Sequence, residues 1–371
     1  MNKFKYYFIL LLAGISMISC NKNDDDEPVV VPLRDYTEQY KADNDSIEKY
    51  LKTNYIQEVT ANYDITISKI PAGGTQISIW DQKTYELKTR DVFNDNIMYK
   101  VYYLVLRKGV GQAPMNTDRI FATYDGNLLN GTSFDSSDDV PGIWNLDGQG
   151  DRGVFVDGWK EIFPQFNIGT STTDANGVQT YDNYGAGVMF LPSGLAYYAS
   201  ATENIPAYSP LVFSFRLFDF TRTDHDLDGV SDYNEDVNHD GYVYNFSDKV
   251  AYPNPPANLI DDTDGDGIPD FLDYDDDGDG YTTFFEVTKP KDAAYSGIST
   301  FYPFDPVLDN PKTLNVDETE IWGIPRRPTG ALADPSKPES ITNPRAYIDE
   351  DYKAAGRLRI HVDKTYPYQK N

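Results

Sequence analysis

The chain has 371 residues, among them 29 Tyr and 19 Phe, and a formal charge of −27 at pH 7. That length buries a real core in roughly two or three domains, the aromatic content favours β-rich structure over a helical bundle, and the charge excludes nucleic acid as a partner. A single cysteine, Cys20, rules out a disulfide framework and a cysteine zinc site, and with only His225, His239 and His361 present, histidine general-base chemistry has little to draw on.

Residues 1–20 read as an export signal: Lys3 and Lys5, an apolar run over 6–18 too short for a comfortable membrane span, then Ser19-Cys20. A lone cysteine directly after such a run resembles a bacterial lipoprotein signal, which implies acylation of Cys20 and contact with a lipid bilayer. An ordinary secretory signal with an incidental cysteine is the alternative. Residues 21–32 open with Asn21-Lys22-Asn23-Asp24-Asp25-Asp26-Glu27 and read as a flexible tether. An acidic run in that place resembles signals that send some bacterial lipoproteins to the cell surface. The expected location is therefore the cell envelope, as an outer-membrane lipoprotein facing the periplasm or the exterior.

Residues 33–96 form an N-terminal extension, read as a spacer that packs on the following domain. Tyr36, Tyr40, Ile47, Tyr50 and Leu51 fall at helical spacing, and Asp45 or Ser46 is placed to cap a second short helix. Alternation then predicts strands over 63–70, 76–80 and 97–107. A domain over 97–221 continues with a strand over 120–124, a turn at Asn130-Gly131 and a helix over 156–165. Residues 170–184, polar and glycine-containing, predict an exposed loop, and alternation resumes over 211–217.

Five landmarks mark this domain. They are Tyr124-Asp125-Gly126, Phe134-Asp135-Ser136-Ser137, Gly158-Trp159-Lys160-Glu161, the run from Leu191-Pro192-Ser193-Gly194 to Tyr197, and Ile205-Pro206 before the strand over 211–217. In order and spacing they resemble the FKBP family of peptidyl-prolyl cis–trans isomerases. The resemblance implies an α+β fold, an FKBP-like antiparallel sheet wrapped on one short helix, here followed by an irregular Asp-rich module. It also implies proline-containing segments of exported proteins as partners and no cofactor for the reaction. By the same resemblance Trp159 floors the site. Tyr124, Phe134, Val156, Ile205 and Phe213 wall it, with Phe155 beside Val156. Tyr197 donates to the peptide carbonyl and Asp135 faces the rotating one. Taken singly, Phe213 reads as core and Asp135 as a turn residue; the joint order points to a pocket. The chain departs from the family at Tyr198, where glycine is usual and a large ring is expected to narrow the cleft. It departs again at Val140, where a basic residue is common, and around 141–143, where an expected aromatic is replaced only by the nearby Trp144. The insertion over 170–184 is placed to overhang the site.

The chemistry implied needs no nucleophile. Rotation about a prolyl bond has a barrier of about 20 kcal/mol because the C–N bond is partly double. An apolar cleft disfavours the dipolar planar amide relative to the twisted one, and a polar group at the rim holds the rotating carbonyl.

From Asp224 the composition changes. Between Asp224 and Glu286 stand 19 Asp or Glu against one Lys, Lys249. Asp224, Asp226, Asp228, Gly229, Asp232 and Glu235 take positions 1, 3, 5, 6, 9 and 12 of an EF-hand-like calcium loop. Asp262, Asp264, Asp266, Asp270 and Asp273 repeat the spacing, as do Asp275, Asp277, Asp279 and Glu286. Asp236, Asn238 and Asp240 give a partial copy with no terminal acid. The recurrence resembles thrombospondin type 3 repeats, which implies structural Ca²⁺ over 222–290; Mg²⁺ suits the spacing less well. A solvated acidic linker is the alternative. Residues 291–371 are proline-rich, predict a terminal strand over 358–362, and suggest no function. Two other functions stay open: a non-catalytic proline-binding module and a calcium-stabilised adhesion or structural protein.

Overall fold

Helix α1, Tyr36–Thr53, is the first element of the computed structural model, which describes residues 32–148, 153–154, 156–289, 300–306 and 323–366. Cys20, the export signal, residues 21–31 and Phe155 lie outside the described residues. The described residues from Tyr36 onward form one compact unit. Gln39, Asp43, Ile47 and Leu51 recur every four residues and are the buried stripe of α1. The helix is continuous through Asp45 and Ser46, where a second helix start was expected. Ser46 Oγ instead donates back to the Ala42 carbonyl at 2.8 Å.

A small hairpin follows, β1 (Asn54–Val59) paired with β2 (Ile65–Lys69). Residues 76–80 are not a strand; they cross the end of α1, with Trp80 N donating to Leu51 O at 3.0 Å. The main sheet holds seven antiparallel strands: β3 (Glu86–Asn94), β4 (Ile97–Arg107), β5 (Arg119–Leu128), β6 (Ser133–Ser136), β7 (Gly142–Asn145) and, after the separate hairpin β8 (Thr170–Thr173) and β9 (Gln179–Asp182), β10 (Gly185–Leu191) and β11 (Leu211–Thr221). Its order is β3-β4-β10-β11-β5-β6, with β7 also on β5. The sheet thus starts at Glu86, ahead of the predicted start at 97. Asp95 and Asn96 turn the β3–β4 hairpin at φ 51° and 58°. In β3 only Val92 is fully buried, so that strand lacks the alternation that would announce it.

Every residue of β10 is buried, because both faces of the sheet are covered. On one face lies the short helix α2, Asp157–Ile162, continued by a 3₁₀ turn over Phe163–Gln165; Tyr124, Trp159, Phe163, Phe166, Met189, Phe213 and Phe215 share its core. On the other, α1 packs Ile47 and Leu51 against Leu104, Val188, Phe190 and Val212. The α+β architecture with an antiparallel sheet is as expected. The extension adds a second helical layer and an outer strand.

The acidic region is irregular, with 3₁₀ turns at Asp232–Asn234 and Asp270–Leu272 and one short helix, α3, Thr283–Val287. The C-terminal segment is no separate body. Tyr302, Ile324, Tyr352, Ile360 and Tyr366 close a core around Val230 and Val287 of the acidic region. The segment carries helix α4, Asp349–Lys353, and a 3₁₀ turn at Ile360–Val362 in place of the predicted strand. Among the described residues no helix is long and apolar enough to cross a membrane.

Candidate functional site

Tyr124, Phe134, Asp135, Val156, Trp159, Tyr197 and Phe213 line one cavity of about 600 Å³, together with Trp144, Gly153 and Val154. The local folding explains the placement. Gly158 lets α2 lie directly on β10, since a Cβ there would stand 2.5 Å from the Leu191 side chain. That contact sets Trp159, the next residue, against the sheet. The indole meets Tyr124 at 4.9 Å and Phe213 at 5.3 Å, both edge to face, and Phe134 stands at 86° to Phe213. The indole is 3% exposed and its Nε1–H has no hydrogen-bond partner among the described residues.

The polar rim is built by pairing. Tyr124 Oη donates to Asp135 Oδ2 at 2.6 Å, and Ser136 N donates to Asp135 Oδ1 at 2.9 Å. Burial, then the Asp135 carboxylate, push the Tyr124 phenol up; the same two causes raise Tyr197. Both phenols therefore stay protonated donors. The Tyr197 hydroxyl makes no hydrogen bond with the described residues and remains available to a guest carbonyl. Its turn is pinned by α1: Ser193 N and Oγ both donate to Asp43 Oδ2, at 2.7 and 2.6 Å. The extension therefore positions a rim residue.

Some placements differ from the sequence reading. Ile205 is 4% exposed in the same apolar cluster but does not line the cavity. Tyr198 does not narrow the cleft: at φ 46° its ring stacks on Tyr36 at 4.4 Å and meets Tyr208 at 5.0 Å. Trp144 takes the place of the aromatic that seemed missing, 5.5 Å from Tyr124. Val140 is 67% exposed and does not line this cavity. Residues 170–184 form the β8–β9 hairpin, whose Tyr181 packs on Phe121 and Phe218 and is not part of the cavity wall.

The acidic region contains a second candidate site. All four loops share one backbone form. Gly229, Gly241, Gly267 and Gly280 sit at position 6 with φ between 87° and 101°, each N–H donating to the carboxylate at position 1. Carboxylates gather in three groups: Asp226, Asp228, Glu235 and Asp276; Asp262, Asp264 and Asp266; Asp275, Asp277 and Asp279. Asp276 escaped the sequence reading because it joins the first loop from the last one. Conversely, Asp232 is engaged by His225 Nδ1 at 2.6 Å, and Asp270 by Thr263 N and Oγ1 at 2.7 and 2.6 Å, so neither belongs to a group. Asp224, Asp273 and Glu286 also stand outside the three groups.

These groups fit a hard cation. Glu235 and Asp276, 4% and 2% exposed, have no hydrogen-bond partner on any carboxylate oxygen among the described residues. Orphan oxygens recur on Asp226, Asp228, Asp277 and Glu286. Burial, then neighbouring carboxylates, raise Asp226 to about 8, Asp276 to about 10 and Glu286 to about 10. Buried acids aimed at one another are costly without a counter-charge, and oxygen-only donor sets are what Ca²⁺ takes.

Known proteins bear on both regions. The family profile described as BamM C-terminal matches residues 225–315. The FKBP-type peptidyl-prolyl cis-trans isomerase FkpA of Escherichia coli (strain K12) is 29% identical over 119 residues. That match covers 32% of this chain and spans 36% of the relative's length. Among solved structures, a Pseudomonas syringae peptidyl-prolyl cis-trans isomerase is matched over 52% of this chain and all of its own, at 17% identity and a TM-score of 0.30. E. coli FkpA is matched over 50% of this chain and 60% of its own, at 21% identity and a TM-score of 0.29. The fold itself rests on the strand order and register given above. The chain is thus a partial relative, in sequence, of an FKBP-type peptidyl-prolyl cis–trans isomerase.

Proposed function

We propose that this chain is a peptidyl-prolyl cis–trans isomerase of the FKBP type, acting on proline-containing segments of exported proteins in the cell envelope. The observation that carries the reading is the cavity floored by Trp159, walled by Tyr124, Phe134, Val156 and Phe213, and rimmed by Asp135 and Tyr197. A proline ring enters on the indole. The carbonyl that turns sits by Asp135, whose position Tyr124 holds, and Tyr197 donates to the peptide. Twisting costs resonance, and the apolar walls offset part of that cost by disfavouring the planar dipole.

Cys20 is the acylation point in this reading, tying the chain to a bilayer through residues 21–32. Structural calcium fills the acidic groups and keeps the module rigid. The match to the BamM C-terminal profile and the likeness to FkpA support an envelope location.

The test is isomerisation of an Xaa-Pro peptide by the full chain, with Tyr197→Phe and Asp135→Leu beside it. Wild-type acceleration that both variants reduce supports the enzyme. Peptide binding with no acceleration would replace it by a proline-binding module, and neither would remove both.

A further inference from the structure

The second acidic loop has the first half of the calcium pattern, Asp236, Asn238, Asp240 and Gly241, but Ser247 where the terminal acid would stand. The fold supplies an acid from elsewhere. Asp261 is fully buried, and its Oδ1 accepts from Asn238 N at 3.2 Å and Asn238 Nδ2 at 3.0 Å. Its Oδ2 has no hydrogen-bond partner among the described residues. Asp240 N donates to Asn238 Oδ1 at 2.9 Å and to Asp236 Oδ1 at 3.2 Å, so the loop's own acids close around the asparagine that Asp261 holds. Position 7 of such a loop gives its backbone carbonyl to the ion, and position 7 here is Tyr242.

Tyr242 is also the residue that reaches into the isomerase core. Its hydroxyl donates to the Glu161 carbonyl at 2.8 Å and accepts from Gln165 Nε2 at 2.8 Å. The Arg90 guanidinium lies 3.4 Å from its ring centre. Tyr244 Oη donates to Glu161 Oε2 at 3.0 Å, and between the two tyrosines the Val243 backbone is held by the Asn116 side chain, whose Nδ2 donates to Val243 O at 2.6 Å and whose Oδ1 accepts from Val243 N at 3.0 Å. Glu161 stands two residues beyond Trp159 on α2 and is 1% exposed. The same short segment thus closes an acidic loop on one side and grips the helix of the indole on the other.

We propose that Asp236, Asn238, Asp240, the Tyr242 carbonyl and Asp261 form a calcium site whose occupancy, through Tyr242, holds α2 and so sets the proline cleft. Without the ion three carboxylates repel across the loop, and the backbone at Tyr242 is free to shift. With the ion, the carbonyl is fixed and the phenol keeps its place over α2. The effect on peptide affinity rests on the isomerase reading; the effect on the helix does not.

The two are separated by measuring amide hydrogen exchange over 157–165 and Xaa-Pro peptide affinity on the full chain, each with CaCl₂, with MgCl₂ and with chelator. Calcium slows exchange over this stretch about tenfold or more, a local opening made rarer, and tightens the peptide in step. Asp261→Asn loses both responses, whereas Asp174→Asn, in the β8–β9 turn, keeps them. Tyr242→Phe retains the carbonyl but not the bond to Glu161, so it binds calcium and responds less in the helix; this variant decides the matter should Asp261→Asn fail to fold. Equal exchange with and without calcium in the wild type, or a full response in Asp261→Asn, overturns the proposal. Slowed exchange with no peptide bound in any condition supports the site and its coupling to α2, and counts against the isomerase reading alone.

Discussion

The aromatic cleft and the acidic module solve opposite problems. Around Trp159 nearly every neighbour is a ring or an aliphatic group, and the rim's phenol and carboxylate satisfy one another at 2.6 Å. That region gains its stability from burial and keeps one space open. Around Asp228 and Asp276 the buried groups are like charges with oxygens left over. That region is held by its core of Val230, Val287, Tyr302 and Ile324 and is opposed by its own carboxylates. A packed core folds by itself, whereas a buried carboxylate cluster needs a partner from solution, and the two meet at Tyr242.

The largest way to break the comparison is to withdraw the cation. Each site filled at a hundredfold excess over its Kd adds about 2.7 kcal/mol. With three carboxylate groups, about 8 kcal/mol in all, chelation is expected to lower the Tm by about 10 °C for a chain of this length. Scanning calorimetry with and without CaCl₂ checks this, and an unchanged Tm would make the module an ordinary solvated linker. Next comes Trp159→Ala, expected to cost about 3–5 kcal/mol in denaturant unfolding and to abolish peptide binding, in calcium and in chelator alike. Asp276→Asn is expected to remove one ion from the calorimetric stoichiometry and about 2.7 kcal/mol of the calcium-dependent stability, leaving Trp159 chemistry intact. Tyr197→Phe removes one donor and is expected to lower kcat/KM about tenfold at unchanged stability. The smallest effect belongs to Tyr198→Ala, expected to change kcat/KM by less than about twofold, because that ring stacks on Tyr36 outside the cavity.

The cleft was legible because its residues lie on short, regular stretches, where order along the chain maps onto one face of a sheet and one helix. Two features resisted. Strand β3 carries a single fully buried side chain, so no alternation marks it, and α1 shows its stripe but not which surface receives it. The acidic region was less legible. Spacing along a loop nominates Asp232 and Asp270, which in the structure also bond His225 and Thr263, but does not show that Asp276 stands with Asp226, Asp228 and Glu235, or Asp261 with Asn238, across loops. A signal was present in the doublets Asp261-Asp262 and Asp275-Asp276, where Asp261 and Asp276 take no position in the pattern of their own loop. The expected obstruction by Tyr198 failed for a backbone reason: a positive φ turns that ring toward α1.

The indole N–H resonance of Trp159, assigned by comparison with Trp159→Phe, tests the central claim most directly when an Xaa-Pro peptide is titrated into the full chain. A saturable shift of that resonance, with cis–trans exchange cross-peaks appearing on the peptide at catalytic amounts of protein, is the predicted result. An unmoved indole signal, with the peptide still interconverting over tens of seconds as it does alone, would contradict it.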